Sequence, residues 1–224
     1  MPDDDAPSIT AIAEHPRRRG RFVISVSREP FAIVTAEAIA ELKVRLGDVL
    51  APHVLDALRV HDRRTAVLDR ALRLLAARGR TTSELSKTLR RSTDRPLPDD
   101  ISWVTHVLSE RGYLDDARFA NQFVRDHAAS RGWGKERLRK ELRRRGVAMA
   151  QIESALAEAR DDAALDDTRA ASAVVQKWRR THAARDPQRD GQRLYGFLAR
   201  RGFSPDVIRA AMRGALSERE AESP

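Results

Sequence analysis

Apolar residues change period along this chain. Between Ser8 and Val34 they alternate with polar ones, first at Ile9 and Ile12, then in Phe22-Val23-Ile24-Ser25-Val26, then from Phe31 to Val34. Such alternation predicts a hairpin or three short strands, with His15 to Gly20 as a turn. Thr35 can cap a helix to about Arg45, closed by Gly47-Asp48. From Pro52 onward Leu55, Leu58, Ala66, Val67, Ala71, Leu74 and Leu75 recur at helical spacings up to Gly79. Further helices are expected over Thr81 to Arg91, carrying Leu85 and Leu89, and from an Asp99 cap to Gly112, carrying Ile101, Val104 and Leu108. Asp115 or Asp116 starts the next, with Phe119, Phe123 and Val124, broken at Gly132-Trp133-Gly134. Lys135 to Arg145 and Val147 to Ala159 follow. Asp166 or Thr168 opens a helix with Val174 and Trp178. Asp186 to Gly191 reads as a turn, and Leu194 and Leu198 mark a helix stopped by Gly202. Ser204-Pro205-Asp206 opens the last helix, which frays after about Ser217.

Two of these courses repeat. Leu138, Leu142, Gly146, Val147, Ile152 and Leu156 are matched by Leu194, Leu198, Gly202, Phe203, Ile208 and Met212, each pair 56 residues apart. The rule encodes an amphipathic helix, a left-handed stop and a second helix packing back. Leu85, Leu89, Val104 and Leu108 fit it more loosely. The fold expected is mainly α: three tandem three-helix repeats in an elongated, curved array with a small N-terminal β-hairpin and helix. The expected boundaries are a disordered start at 1–7, an extension at 8–60, repeats at 61–114, 115–160 and 161–217, and a tail at 218–224.

Composition sharpens this picture. Aromatic residues are only 5% of the chain, which favours several small Ala-, Leu- and Val-filled cores over one large one. The formal net charge is +9, and all of it lies beyond residue 60: residues 1–60 hold 8 Lys/Arg against 9 Asp/Glu, and the rest hold 34 against 24. A basic helical surface suits a polyanion or an acidic protein. The absence of cysteine excludes disulfides, thiolate metal sites and thiol nucleophiles, and fits a cytoplasmic location. No apolar run is long enough for a membrane span, and the acidic start is not a signal peptide. Six scattered histidines pair with no nucleophile motif, no phosphate-binding glycine loop is present, and Asp161-Asp162 with Asp166-Asp167 lack a ligand-spaced loop. The expectation is a binding protein with no cofactor, metal or catalytic residue.

The densest charge runs from Arg131 to Gly146. Arg131, Lys135, Arg137, Arg139, Lys140, Arg143, Arg144 and Arg145 face only Glu136 and Glu141 in that stretch. With Leu138 and Leu142 inward, Arg137, Lys140 and Arg144 share one flank, and Arg139 and Arg143 the other. Arginine forks suit carboxylates and phosphates. The alternative is a solvated face with Glu136–Lys140 and Glu141–Arg145 pairs. Arg200 and Arg201 repeat the positions of Arg144 and Arg145, and Arg90 and Arg91 stand at the matching place earlier. They suggest a basic stripe, or merely cations offsetting helix dipoles. Trp133 reads as a cover over a helix joint or an exposed anchor.

Several segments together resemble one family. They are Arg80-Thr81-Thr82-Ser83-Glu84-Leu85, Gly112-Tyr113-Leu114-Asp115-Asp116-Ala117-Arg118-Phe119-Ala120, Ser130-Arg131-Gly132-Trp133-Gly134, and Leu138-x3-Leu142-x3-Gly146-Val147. In order and spacing this is similar to the RecX family, bacterial regulators of the RecA recombinase, over about residues 60–217. The resemblance implies three three-helix repeats and binding in the groove of RecA filaments on single-stranded DNA. It also implies weaker strand exchange, ATP hydrolysis and co-protease activity, in recombination, repair and the SOS response. Blocked filament growth and promoted disassembly both remain open. A monomer is expected. The competing readings are direct DNA binding by helix-turn-helix-like units, weak or otherwise, and a scaffold for an unrelated acidic partner.

Overall fold

The computed structural model describes residues 6–181 and 187–221. Positions 1–5, 182–186 and 222–224 lie outside the described residues, as do parts of the expected disordered start, inter-helix turn and tail.

Three strands, β1 (Ile9–Glu14), β2 (Arg21–Val26) and β3 (Glu29–Thr35), form an antiparallel sheet in the order β1-β2-β3. The link from β2 to β3 is the pair Ser27-Arg28, with φ of 49° and 69°. Both are left-handed, as a tight right-twisting hairpin needs, although neither is glycine. The Thr10 hydroxyl accepts from the Arg28 N–H at 2.9 Å and helps hold that turn. Thr35 caps α1 (Ala36–Leu42) through the Ala38 N–H. This helix stops earlier than Arg45 because Lys43 turns left-handed, with φ of 52°.

The long helix α2 (Pro52–Ala77) corrects the expected boundary at residue 60. It passes through that point unbroken because its two halves serve two cores. Leu58 joins Ile24, Val26, Ala32 and Val34 under the sheet, while Val67, Leu68 and Ala71 join Leu85, Leu89, Ile101, Val104 and Leu108. Asp62 on α2 accepts from the Ile33 N–H at 2.7 Å, satisfying the open edge of β3.

The helices α3 (Thr82–Arg90) and α4 (Pro98–Glu110) complete the first three-helix set. Asp99 is not the cap of α4. Leu97 holds that place, Pro98 takes the first turn, and no side chain caps it. The second set is α5 (Asp116–Arg131), α6 (Lys135–Arg144) and α7 (Met149–Asp161). The third is α8 (Asp167–Thr181), α9 (Pro187–Arg200) and α10 (Pro205–Ala221). Pro187 to Gly191 is therefore helical rather than a turn, and the backbone of α10 continues past Ser217. Each of the last two sets has its own core, around Leu138, Leu142 and Ile152 and around Leu194, Leu198 and Ile208. By contact the chain forms two compact units, Met1–Gly79 with Leu85–Leu114, and Arg80–Glu84 with Asp115–Pro224. None of the described helices is long and apolar enough to cross a membrane.

Candidate partner-binding groove

The site begins with glycines that let helix ends meet within the second unit. Gly132 ends α5 with φ of 56°. Trp133 then turns inward, 9% exposed, with its ring centroid 6.2 Å from Phe123 and 4.7 Å from His127. It covers the joint. Gly134 starts α6, and its N–H donates to the Arg201 carbonyl at 2.8 Å, while the Glu136 N–H donates to the Gly202 carbonyl at 3.1 Å. A Cβ on Gly134 would lie 2.5 Å from the Gly202 oxygen, and one on Gly202 would lie 2.3 Å from the Arg137 nitrogen. The electropositive start of α6 thus seats on the electronegative end of α9.

The other end of α6 repeats the device. Gly146 has φ of 82°, and a Cβ there would meet the Ser83 side chain at 2.3 Å. The Thr81 hydroxyl donates to the Arg145 carbonyl at 2.6 Å. Asp115 caps α5 through the Arg118 N–H, whereas Asp116 accepts from both the N–H and the hydroxyl of Thr82. Sequence reasoning took the two aspartates as alternatives for one cap; they cap different segments.

These joints sort the candidate cations. Arg139 bonds Glu136 and Glu153, both at 2.6 Å, and Lys135 lies 4.0 Å from Glu153. The Arg139 hydrogen bond holds the Glu153 carboxyl below its usual range. Arg144 pairs with Glu141 at 2.8 Å, and Arg145 reaches Glu84 at 2.6 Å. The expected Glu136–Lys140 and Glu141–Arg145 pairs give way to i,i+3 partners and to Glu84. The local count of two acids was a poor guide, because Glu84 and Glu153 arrive from other segments.

Arg131, Arg137, Lys140, Arg143, Arg200 and Arg201 have no carboxylate partner among the described residues, nor do Arg90 and Arg91 in the first unit. Lys140 and Arg143 are exposed on α6, and Arg90 and Arg91 are exposed at the end of α3. The other four gather in one place. Arg131, Arg137, Arg200 and Arg201 line a groove of about 1000 Å³ between the end of α5, α8 and the end of α9. Lys177, Trp133, Trp178 and Phe197 line it too, and among the described residues no acidic one does. The Arg137 guanidinium sits 4.2 Å from the Trp133 ring centre and donates to the Arg200 carbonyl at 3.0 Å. Arg201 sits 4.7 Å from the Phe197 ring centre and donates to the Arg131 carbonyl at 2.7 Å. Like charges thereby share one groove, with no carboxylate among its described lining residues, held by carbonyls and ring faces. Lys177, Trp178 and Phe197 were missed as site residues. The spacing of Val174 and Trp178 on α8 carried a signal, and it read as core.

A half-buried acid fixes the start of α6. Asp167 accepts from the Lys135 N–H at 3.2 and 3.3 Å, so a side chain from α8 caps α6. Burial pushes its carboxyl above the usual range. Asp166 caps its own helix through the Arg169 N–H. Among the described residues no group of three or more His, Cys, Asp or Glu is placed to hold a metal.

Known proteins share this sequence pattern and fold. Residues 115–156 match the second three-helix domain of RecX, and residues 166–212 match the third. A regulatory protein RecX from Halorhodospira halophila is 41% identical over 156 residues, which cover 69% of this chain and 91% of that protein. The regulatory protein RecX of Mycolicibacterium smegmatis is 43% identical over 140 residues, 61% of this chain and 72% of that one. The Bacillus subtilis protein of the same name is 30% identical over 206 residues, 92% of this chain and 76% of that one. A crystal structure of a regulatory protein RecX superposes with a TM-score of 0.78 over 92% of this chain and 99% of that chain, at 21% identity. The crystal structure of RecX from Lactobacillus salivarius gives 0.60 over 68% and 96%, at 20% identity, the same fold again. These relatives are named as regulators, not as enzymes. The chain belongs to the RecX family.

Proposed function

We propose that this chain regulates RecA by binding RecA filaments on single-stranded DNA, and that it lowers their ATP hydrolysis, strand exchange and co-protease activity. The groove of the second unit is its anionic-partner contact. The observation that carries the reading is the separation of charges: cations tied to Glu84, Glu136, Glu141 and Glu153 hold the fold, while Arg131, Arg137, Lys177, Arg200 and Arg201 collect where no acid among the described residues balances them. Lys140, Arg143, Arg90 and Arg91 are secondary contacts in this proposal. Chemistry needs no part in it, and the protein works as a monomer in the cytoplasm.

The test is RecA ATP hydrolysis on single-stranded DNA with substoichiometric protein. The unchanged chain is expected to inhibit. Changing Arg131, Lys177 and Arg200 together to Glu is expected to abolish inhibition, and changing Arg144 to Glu is expected to leave it. No inhibition by the unchanged chain overturns the function. Inhibition that survives the triple change overturns only the site.

A second reading, direct binding of single-stranded DNA, draws on Trp178 and Phe197, since cations interleaved with ring faces suit phosphates and bases together. It predicts binding to a naked oligothymidine that weakens steeply with salt, with a log–log slope of about −0.7 for each phosphate contact. Selectivity for RecA-coated over naked DNA favours the first reading.

A further inference from the structure

The carbonyls at the end of α9 leave one gap, and a side chain fills it. Phe197 and Leu198 both accept from the Arg201 N–H, and Ala199 accepts from the Gly202 N–H at 3.0 Å. Arg201 and Gly202 accept from the N–H groups of Gly134 and Glu136 at the start of α6. Between them, the Arg200 carbonyl has no backbone donor among the described residues. Arg137 reaches it from α6 and donates at 3.0 Å. A matching contact runs the other way: Arg201 donates to the Arg131 carbonyl, at the end of α5, at 2.7 Å. Carbonyls at helix ends lack an intrahelical donor, and cations suit them.

The two donors differ from the two residues they grip. Arg137 and Arg201 are half-buried, and each guanidinium also lies over a ring, 4.2 Å from the Trp133 centre and 4.7 Å from that of Phe197. A planar fork can lie on a ring and donate in its own plane at once, whereas an ammonium on a flexible stem does not hold both contacts. Arg131 and Arg200 are exposed. Among the described residues the Arg131 guanidinium has no hydrogen bond and stands 5.2 Å from the Trp133 ring centre, and that of Arg200 has neither kind of contact.

We infer that Arg137 and Arg201 are positioning residues and not partner contacts. Arg137 grips the backbone of Arg200, Arg201 grips that of Arg131, and together they fix where those two exposed charges stand on the groove. Arg131, Arg200 and the exposed Lys177 are the charges left to meet an anion. This division rests on the groove being the partner contact, and it splits the cations of that groove into two classes. Fixing the backbone beforehand raises affinity without a new contact, because less freedom is lost on binding.

The experiment measures the concentration of full chain that halves RecA ATP hydrolysis on single-stranded DNA. Arg137→Lys and Arg201→Lys keep the charge of the groove but lose the stacked, in-plane bond, and each is expected to raise that concentration about fivefold or more. In an Arg200→Ala background Arg137→Lys is expected to add less than about twofold, and in an Arg131→Ala background the same holds for Arg201→Lys, because a positioning residue acts through the one it positions. Thermal melts establish that each variant is folded. Side-chain NMR of the unchanged, isotope-labelled chain is expected to show hindered guanidinium rotation at Arg137 and Arg201 and free rotation at Arg131 and Arg200. A folded lysine variant that inhibits like the parent overturns the positioning role, whether or not its stability falls. Undiminished losses in the alanine backgrounds make Arg137 and Arg201 direct contacts and overturn it as well, and so does equal rotation at all four arginines. Inhibition that survives changing Arg131, Lys177 and Arg200 together to Glu overturns the groove as the contact and the positioning role with it, whereas the other outcomes overturn the positioning role alone.

Discussion

Three glycines separate what a close helix joint costs from what a left-handed backbone costs. Gly132 has φ of 56°, and a Cβ there would make only ordinary contacts, 3.5 Å to Arg201 and 3.7 Å to Val174. Gly132→Ala should therefore cost the left-handed penalty alone, about 1–2 kcal/mol. Gly134 is not left-handed, but its Cβ would lie 2.5 Å from the Gly202 carbonyl oxygen. Relief means opening the joint and weakening the Gly134–Arg201 and Glu136–Gly202 bonds, for about 2–3 kcal/mol from overlap and lost hydrogen bonds. Gly202 carries both burdens, φ of 87° and a Cβ 2.3 Å from the Arg137 backbone nitrogen. Gly202→Ala is expected to cost about 3–4 kcal/mol, a large share of a typical domain's stability. Urea unfolding followed by tryptophan fluorescence reads this in a Trp103→Phe background, which leaves Trp133 and Trp178 as reporters within the second unit. The order Gly202 > Gly134 > Gly132 is the prediction. If Gly202→Ala costs no more than Gly132→Ala, α6 does not seat on α9 as described, and the groove loses the joint that builds it.

Two further outcomes follow from side chains. Arg145→Ala should destabilise by about 1–2 kcal/mol, because it removes the 2.6 Å ion pair to Glu84 and a cation 5.0 Å from the Phe123 ring centre; equilibrium unfolding checks this, and filament inhibition should be unchanged once the variant is folded. Asp167 has a folded-state pKa above its ordinary value of 3.8, so the folded chain takes up its proton first, and this group disfavours folding once ionised. Lowering pH through the interval just above 3.8 should relieve that cost, and Asp167→Asn, which keeps an acceptor for the Lys135 N–H, should be at least as stable as the parent near pH 7 and lose its advantage below that interval; thermal melts across pH read the sign, and a variant less stable at pH 7 than the parent refutes it.

Local patterning reported the elements well. Alternation gave the three strands, and the leucine pairs gave α3, α6 and α9, because a strand or an amphipathic helix is decided by residues a few positions apart. Tertiary demands were not legible in the same way. Nothing near residue 60 says that one helix will feed two cores, since both halves of α2 have ordinary helical spacing. Charge pairing was misread for the same reason: Glu84 and Glu153 lie 61 and 14 positions from the arginines they bind. The groove depends on Lys177, Trp178 and Phe197 meeting Arg131, Arg200 and Arg201, which only the folded joint brings about.

The repeat rule also says where joints occur. Leucine, leucine, glycine at intervals of four holds at Gly146 and Gly202, and both glycines receive another segment at a distance that no side chain tolerates. In the first course the same count from Leu85 and Leu89 arrives at Thr93. A β-branched residue there is a poor host for a left-handed stop, and the chain instead leaves α3 through Ser92 and reaches α4 by way of Arg95, at φ of 39°. At these two repeat positions glycine both stops the helix and receives a neighbour, whereas Gly132 stops α5 with room for a Cβ and α3 ends without a glycine. Where the rule lapses, the Ser92 hydroxyl is buried without a hydrogen-bond partner, and a cavity of about 450 Å³ lies between α2, the end of α3 and the start of α4. Near-copies of one three-helix unit thus build their joints from the glycine at the repeat position, and the course that lacks it must turn into its next helix by another backbone route.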